Sequence, residues 1–470
     1  MYADLYRHLF RGDHDEHGAV IAAGVARVGE RVRLLGRELI LAQDGVDYVA
    51  GERGYRMLTA DFVRDAAMHC RDEGLAYIAV HNHGGVESVG FSGDDMASHE
   101  RGYPALVAMM RGQPVAGLVM AKAAAAGDLW EGQGRRSELS ELVVLGRPIQ
   151  RLRSTVSVAK RRDPQYDRQA RLFGDVGQGI LNATHVGVVG AGGVGMLLIE
   201  YLSRLGVGRI TTADPERLDS TNIPRMPGTT LKDTGETQRN QWWPLRFGRR
   251  LGPVSAAKVH LAERLALEAN PRCCFRALHG DFLDPDIARE FLDCDYLFLA
   301  ADSMSARLLF NSMTQQYLIP GAQVGSKVES DRDTGKVLRA FSVVRPVSHD
   351  GGCLWCNGLI PPGRLQLEAT SEEQRRVQQY VDDPAVAVPS VITLNAVGAS
   401  LAANEFLFRV TGLARAGTNS ADYYRIDALK GEVVREEPSR DPACPECGVG
   451  GESRRARGDA LDLPTKEKRP

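Results

Sequence analysis

Residues 81–95 read HNHGGVESVGFSGDD. Two imidazoles, His81 and His83, flank one residue, and a serine and two aspartates follow closely. The stretch AYIAVHNH reads as a buried strand delivering both histidines at its C-terminal end, and strand side chains two apart share a face. Imidazoles joined by a carboxylate make a three-ligand zinc site with a fourth position left for water. Further on, VGVVGAGGVG places Gly190, Gly192 and Gly195 as G-x-G-x-x-G, with Gly193 inside the loop. The loop follows a strand and opens a helix. Its backbone can approach a phosphate while the helix N-terminus supplies unpaired N–H donors. Asp214 ends the next strand, where an acid can accept hydrogen bonds from a ribose. Alone, this pattern also fits an NAD-dependent oxidoreductase, or a tight turn without ligand. A third cluster comes from CLWC and CPEC. Cys353, Cys356, Cys444 and Cys447 supply four thiolates, which suit tetrahedral Zn2+ with no open position. Such a site adds folding energy and ties the chain's end back to its domain. A redox pair is the alternative.

The elements that must position these groups divide the chain. Its 470 residues allow two to three domains, and 43% hydrophobic with 25% charged residues is ordinary for a soluble globular protein. A net charge of −2 favours neither nucleic acid nor a membrane surface as partner. No apolar run reaches the ~18 residues of a membrane helix. The polar N-terminus does not read as a signal peptide, which makes the cytoplasm the default compartment. Residues 18–50 alternate like paired strands, and MLTADFVRDAAMHCRDEG predicts a helix capped by Thr59 and stopped by Gly74. Residues 92–112 read as helical and VAGLVMAKAA as a further strand, giving a mixed α+β domain over 1–150. Residues 151–175 are basic and irregular, a linker and entry segment. From HVGVVG onward strands alternate with helices, which implies a doubly wound parallel sheet over 176–448. The charged tail 449–470 carries few large apolar groups and is expected to be disordered. Cys70, Cys273, Cys274 and Cys294 fall in strand- or helix-like stretches and read as packing.

Several spaced segments in fixed order carry a family resemblance: QYDRQARLFGDVGQGILNATHVGVVGAGGVG, ADPERLDSTNIPR, AAKVHLAERLALEANP and YLFLAADSMSARLLFN. Residues 160–448 resemble the ThiF/MoeB superfamily, the adenylating domain shared with ubiquitin-activating enzymes. The resemblance implies attack of a small protein's C-terminal carboxylate on the α-phosphate of ATP. That transition state needs Mg2+ and cations and no covalent nucleophile. By motif position, Asp214 holds the ribose, Asn222 and Arg225 contact phosphates, and Lys258 neutralises the β/γ-phosphates. Asp302 helps hold Mg2+, and Arg168 reaches the triphosphate of a neighbouring subunit, which implies a homodimer. The resembling family also carries the four-cysteine zinc site. Residues 226–257, including QWWPLRFGRR, exceed the length of compact members and read as a loop or as a partner-binding insertion. The region LQLEATSEEQRRVQQYVDDPAVAVPS lacks the acceptor cysteine of ubiquitin-type enzymes. Thr370, Ser371 or Ser390 could accept an acyl group only with a base beside them.

The N-terminal cluster resembles the JAB/MPN (JAMM) metalloprotease motif, H-x-H, a spacer, then S-x-x-D, with a glutamate upstream. The resemblance implies that His81, His83 and Asp95 bind Zn2+, that Ser92 helps hold the oxyanion, and that Glu16 is the general base on the zinc water. Asp94 competes as a ligand, and Glu30, Glu38 and Glu52 compete as the base. The spacer from His83 to Ser92 is one residue longer than usual, and Gly84 stands where proline is common. A domain that kept the shape but lost its metal would serve as a docking scaffold. Together the resemblances imply one chain that trims or removes a ubiquitin-like or sulfur-carrier protein and adenylates its C-terminus. The acyl group then passes to a sulfur donor or a conjugating enzyme. A ThiF-like enzyme acting on a peptide or tRNA carboxylate is the alternative.

Overall fold

The computed structural model describes residues 1–49, 56–132, 134–156, 163–235, 255–331, 334–349, 351–369, 389–413 and 422–467. They fall into two compact units, Met1–Ala159 with Arg454–Asp462, and Lys160–Ser453 with Leu463–Pro470. Residues 236–254 of the insertion lie outside the described residues, as do Glu52, Thr370 and Ser371.

The first unit contains α1 (Tyr2–Leu9), β1 (Gly18–Val28), β2 (Arg31–Leu41), α2 (Ala60–Asp72), β3 (Ala76–Asn82), α3 (Gly93–Met109), β4 (Val115–Met120), β5 (Ala125–Glu131) and β6 (Arg135–Leu139). A small ladder of β7 (Leu142–Val144) and β8 (Gln150–Leu152) follows. The sheet order is β2-β1-β3-β4-β5-β6, with β3 and β4 parallel and the other neighbours antiparallel. Alternation along β1 decides the layering. Ala19, Ile21 and Ala23 face Leu5 and Leu9 of α1, while Val20 and Ala22 join Ala66, Ala67 and Cys70 of α2 and Tyr103 and Val107 of α3. Thr59 caps α2 by accepting from the Phe62 N–H at 3.3 Å, and Gly74 ends it at φ +67°.

Two boundaries differ from the sequence expectation. The first unit continues past residue 150, because β8 pairs with β7 and the Val89 N–H donates to Ser154 O at 2.9 Å. The tail is also ordered through residue 467. Strand β3 pairs with β1 only as far as Ala23, and beyond it Gly458 forms a parallel bridge to Val25. Asp459 N–H donates to Val25 O at 2.8 Å, and Ala456 is fully buried. A segment too polar to build its own core is ordered here on a surface made elsewhere in the chain.

The second unit contains α4 (Asp167–Ala183), β9 (His185–Val189), α5 (Gly193–Arg204), β10 (Arg209–Ala213), α6 (Lys258–Ala269), β11 (Cys274–Leu278), α7 (Pro285–Glu290), β12 (Tyr296–Leu299), α8 (Met304–Gln316), β13 (Gly321–Ser330), β14 (Val337–Val347), α9 (Pro362–Ala369), α10 (Ile392–Thr411), β15 (Tyr423–Asp427) and β16 (Glu432–Glu436). Its sheet order is β11-β10-β9-β12-β13-β14-β15-β16, parallel through β13 and antiparallel after it. The chain winds outward from β9 in one direction and then the other. The crevice beyond the C-terminal ends of β9 and β12 is therefore where a sheet so wound receives a ligand. Among the described residues no helix is long and apolar enough to cross a membrane.

Candidate functional sites

The histidine site is set by sheet register. Gly18 of β1 lies opposite His81 of β3 in an antiparallel pair. Carrying that register one step outward places His17 across from Asn82, and a second step places Glu16 across from His83. The Nε2 atoms of His81 and His83 stand 3.2 Å apart. Asp95, in the first turn of α3, places one oxygen 3.4 Å from His81 Nε2 and the other 3.3 Å from His83 Nε2. One ligand atom from each of the three residues lies within 4.8 Å of the others, and ligands held tetrahedrally at about 2.05 Å from one zinc stand roughly 3.3 Å apart, so the donor set and its spacing suit such an ion. Glu16 Oε1 lies 3.7 Å from His83 Nε2, and burial holds the Glu16 carboxyl above its ordinary value.

Ser92 Oγ donates to Asp95 Oδ2 at 2.8 Å and accepts from the Asp95 N–H at 3.1 Å, a capping box that starts α3. Its hydroxyl therefore orients the Asp95 carboxylate. Asp94 is exposed and lines the cleft, which has a volume of about 510 Å3 and is also bounded by Glu16, His83 and Ser88. Glu38 bonds His69 at 2.7 Å and Glu30 sits exposed at the β1–β2 turn, so neither is the acid at the histidines. Asn82 carried no signal in the sequence. It is buried, and its Oδ1 accepts from the His17 N–H at 2.7 Å.

The glycine loop lies at the winding reversal. Gly190 N–H donates to Ala213 O at 2.9 Å and Ala300 N–H to Val189 O at 2.8 Å, which sets the ends of β10, β9 and β12 level. Gly192 caps α5, leaving the first N–H groups of that helix open. A Cβ on Gly195 would lie 1.9 Å from Gly190 O, so the turn tolerates only glycine there. Asp214 is buried and accepts from the Ala191 and Glu216 N–H groups, both at 2.8 Å. Burial raises its pKa, opposed by those two bonds and by the charge of Lys258. Lys258 opens α6, is buried, and contacts the Glu216 carboxylate. Asn222 is buried in a short turn, where its Oδ1 accepts from the Asp219 N–H at 3.1 Å. Arg225, half-buried, brings its Cδ within 3.6 Å of where a Gly193 Cβ would stand. Asp302 is exposed just beyond β12, and Arg168 is exposed on the first turn of α4.

Two further groups around this crevice escaped the sequence reading. Asn395, buried on the first turn of α10, holds its Nδ2 2.5 Å from the Gly193 Cβ position and donates to Ser390 Oγ at 3.2 Å. Glu368 accepts from the Met304 and Ser305 N–H groups at 2.7 and 2.9 Å, capping the helix that follows Asp302. The approach of Asn395 to Gly193 and the Glu368 bonds join residues remote in sequence.

The four cysteine sulfurs lie within 4.8 Å of one another. Cys353 Sγ is 3.7 Å from Cys356 Sγ and 3.8 Å from Cys444 Sγ, and Cys356 Sγ is 3.4 Å from Cys447 Sγ. Sulfurs held tetrahedrally at about 2.3 Å from one zinc stand roughly 3.8 Å apart, which this cluster matches. Hydrogen bonds from Cys353 and Cys356 draw the Cys447 thiol down to about 5, whereas burial holds Cys444 up at about 11. Asn311 of α8 anchors both knuckles, accepting from the Leu354 N–H at 2.9 Å and donating to Glu446 at 3.1 Å. Of the other cysteines, Cys70, Cys273 and Cys294 are buried as packing groups, but Cys274 is exposed because it opens the edge strand β11.

Comparison with known proteins places this arrangement. The model of the ThiF family matches residues 166–244 and 245–449. The tRNA threonylcarbamoyladenosine dehydratase of Bacillus subtilis is 29% identical over 146 residues, 31% of this chain and 49% of that protein. The sulfur carrier protein adenylyltransferase of Thermus thermophilus is 39% identical over 74 residues, 15% of this chain and 27% of that one. The chain thus spans about half the length, or less, of the curated relatives it matches. Among solved structures, Escherichia coli MccB with MccA-N7isoASN aligns at a TM-score of 0.46 and 16% identity, covering 62% of this chain and 75% of that one. The family model spans most of the second unit and more than half of the chain: the chain belongs to the ThiF family.

Proposed function

We propose that the second unit adenylates the C-terminal carboxylate of a ubiquitin-like or sulfur-carrier protein, and that the first unit is a JAMM-type zinc peptidase that processes or removes the same protein. The observation that carries the reading is the pairing, on one chain of the ThiF family, of the glycine-loop crevice with the His81–His83–Asp95 cluster facing Glu16. In the crevice Asp214 holds the ribose, while Asn222, Arg225 and Lys258 neutralise phosphate charge beside the α5 N-terminus. Mg2+, held with the help of Asp302, would screen the departing pyrophosphate. At the other site Zn2+ would make its bound water acidic, and Glu16 stands where it can take that proton. The four cysteines fit a structural Zn2+.

A homodimer completes the proposal, with Arg168 of each copy reaching the other's triphosphate. Exposed Leu172 and Val176 on α4, and Val397 and Phe408 on α10, which packs against α4, support an apolar surface for it. ATP–pyrophosphate exchange with sulfur-carrier proteins tests the adenylating half. Exchange should require the carrier's C-terminal glycine and vanish in Asp302→Ala. A second reading, adenylation of a tRNA or peptide carboxylate with the first unit as a docking scaffold, draws support from the relative named as a tRNA-modifying dehydratase. Exchange driven by tRNA or peptide and by no carrier would favour it.

A further inference from the structure

We propose that Asn82 is the positioning residue for Glu16, locking the acid to the strand that carries both histidines. The inference rests on the zinc-peptidase reading of the first unit. Side chains alternate along β3, so His81 and His83 share one face and Asn82 points to the other. There it is buried, and its Oδ1 accepts from the His17 N–H at 2.7 Å. The last backbone register pair before this point is Gly18 with His81. A side-chain carbonyl thus takes over where the ladder of β1 and β3 ends and holds the next residue of the β1 strand in line. Glu16 precedes His17 directly, which leaves its carboxylate across from His83 at 3.7 Å.

The far side of the same residue is also fixed. The buried His17 ring lies 3.0 Å from Asp13 Oδ1 and 3.2 Å from Arg56 Nη1. Arg56 in turn bonds Asp44 at 2.7 Å and lies 3.8 Å over the Tyr48 ring, whose hydroxyl accepts from the Gly18 N–H at 2.9 Å. These contacts fix the His17 ring and the start of β1. Among the described residues, it is the bond to Asn82 that ties this segment's backbone to the interval between the two histidines. An acid one residue from such a tether is held in place beside His83, and supporting hydrogen bonds of this kind are what keep a catalytic side chain in its productive geometry.

The test uses full-length protein with the cysteine site filled with Zn2+ and the histidine site loaded with Co2+, whose visible absorption follows ionisation of the bound water. Wild type should show one pH transition, and Glu16→Gln should displace its midpoint. Asn82→Ala should bind Co2+ as tightly as wild type yet move the midpoint in the same direction, by at least half as much. Hydrogen exchange gives a second readout in metal-free protein. The His17 amide should be protected in wild type and in Asn82→Asp, which keeps an acceptor, and should exchange at least tenfold faster in Asn82→Ala. An Asn82→Ala midpoint equal to wild type, or a His17 amide unprotected in wild type, overturns the proposal. Failure of wild type to take up Co2+ at His81 and His83 instead sinks the metal-site reading, and this proposal with it.

Discussion

At the scale of single residues, the crevice depends on groups whose backbone contacts leave little freedom. Asp214 satisfies two N–H donors, one from the glycine loop and one from the turn beyond β10. Replacing it by alanine orphans both, and an unpaired buried donor costs about 1–3 kcal/mol. Asp214→Ala should therefore lower the melting temperature of the second unit and weaken ATP binding at least tenfold, as calorimetry can check. If ATP affinity stays at the wild-type value, Asp214 has no part in the nucleotide site. Gly195→Ala meets Gly190 O at 1.9 Å, so the loop itself must open. Overpacking of this kind costs about 1–3 kcal/mol. The variant should lose nucleotide binding even where it remains folded, which equilibrium dialysis on the soluble fraction would show.

At the scale of elements, helix α6 carries Lys258 and is tied to the opening turn of the 226–257 insertion by the Arg264–Asp233 ion pair. Arg264 donates to Asp233 at 2.8 and 2.9 Å and to Gly228 O at 2.8 Å. The Arg264 hydrogen bond, helped by Thr230 and opposed by burial, pulls the Asp233 carboxyl down to about 2. A folded-state pKa below the unfolded one means this stability is complete above the ordinary carboxylate range of ~4 and is lost as pH falls towards the folded value. Arg264→Ala should consequently melt below wild type at pH 7, with the gap closing between about pH 4 and pH 2. A gap constant across that window would show that Arg264 acts through packing and not through the Asp233 charge.

At the scale of the whole molecule, the first unit is built from both ends of the chain. Its strap, Arg454–Asp462, begins shortly after the second cysteine knuckle and supplies Gly458 and Asp459 to the open edge of β1. Arg457 adds bonds to Glu73, including 3.0 Å to its carbonyl. Truncation after Ser453 should strip hydrogen-exchange protection from the Arg27 amide, which donates to Asp459 Oδ2 at 2.6 Å, and lower the melting temperature of that unit by about 5 °C or more. Unchanged exchange at that amide would mean the strap is dispensable. Cys447→Ser, or a strong chelator, should instead destabilise the second unit, because the cluster anchors on α8 through Asn311. Co2+ uptake at His81 and His83 should persist in that variant.

What the sequence determined by itself is local. G-x-G-x-x-G after an apolar run, H-x-H at a strand's end, S-x-x-D opening a helix and two C-x-x-C pairs each fix residue types within a single turn or strand. Their short-range geometry follows from the backbone alone, and spaced motifs in family order extended that reading to most of the second unit. Contacts between distant segments had no such signal. The motif pattern already set Glu16 ahead of Glu30 and Glu38, but its place beside His83 follows from strand register. Asn82, Asn395 and Glu368 are ordinary polar residues until folding brings His17, Ser326 and Met304 respectively from far along the chain to each. The tail misled for the same reason. Its charge correctly says that it builds no core, but order there depends on a strand edge left open more than four hundred residues away, by the length of a different strand.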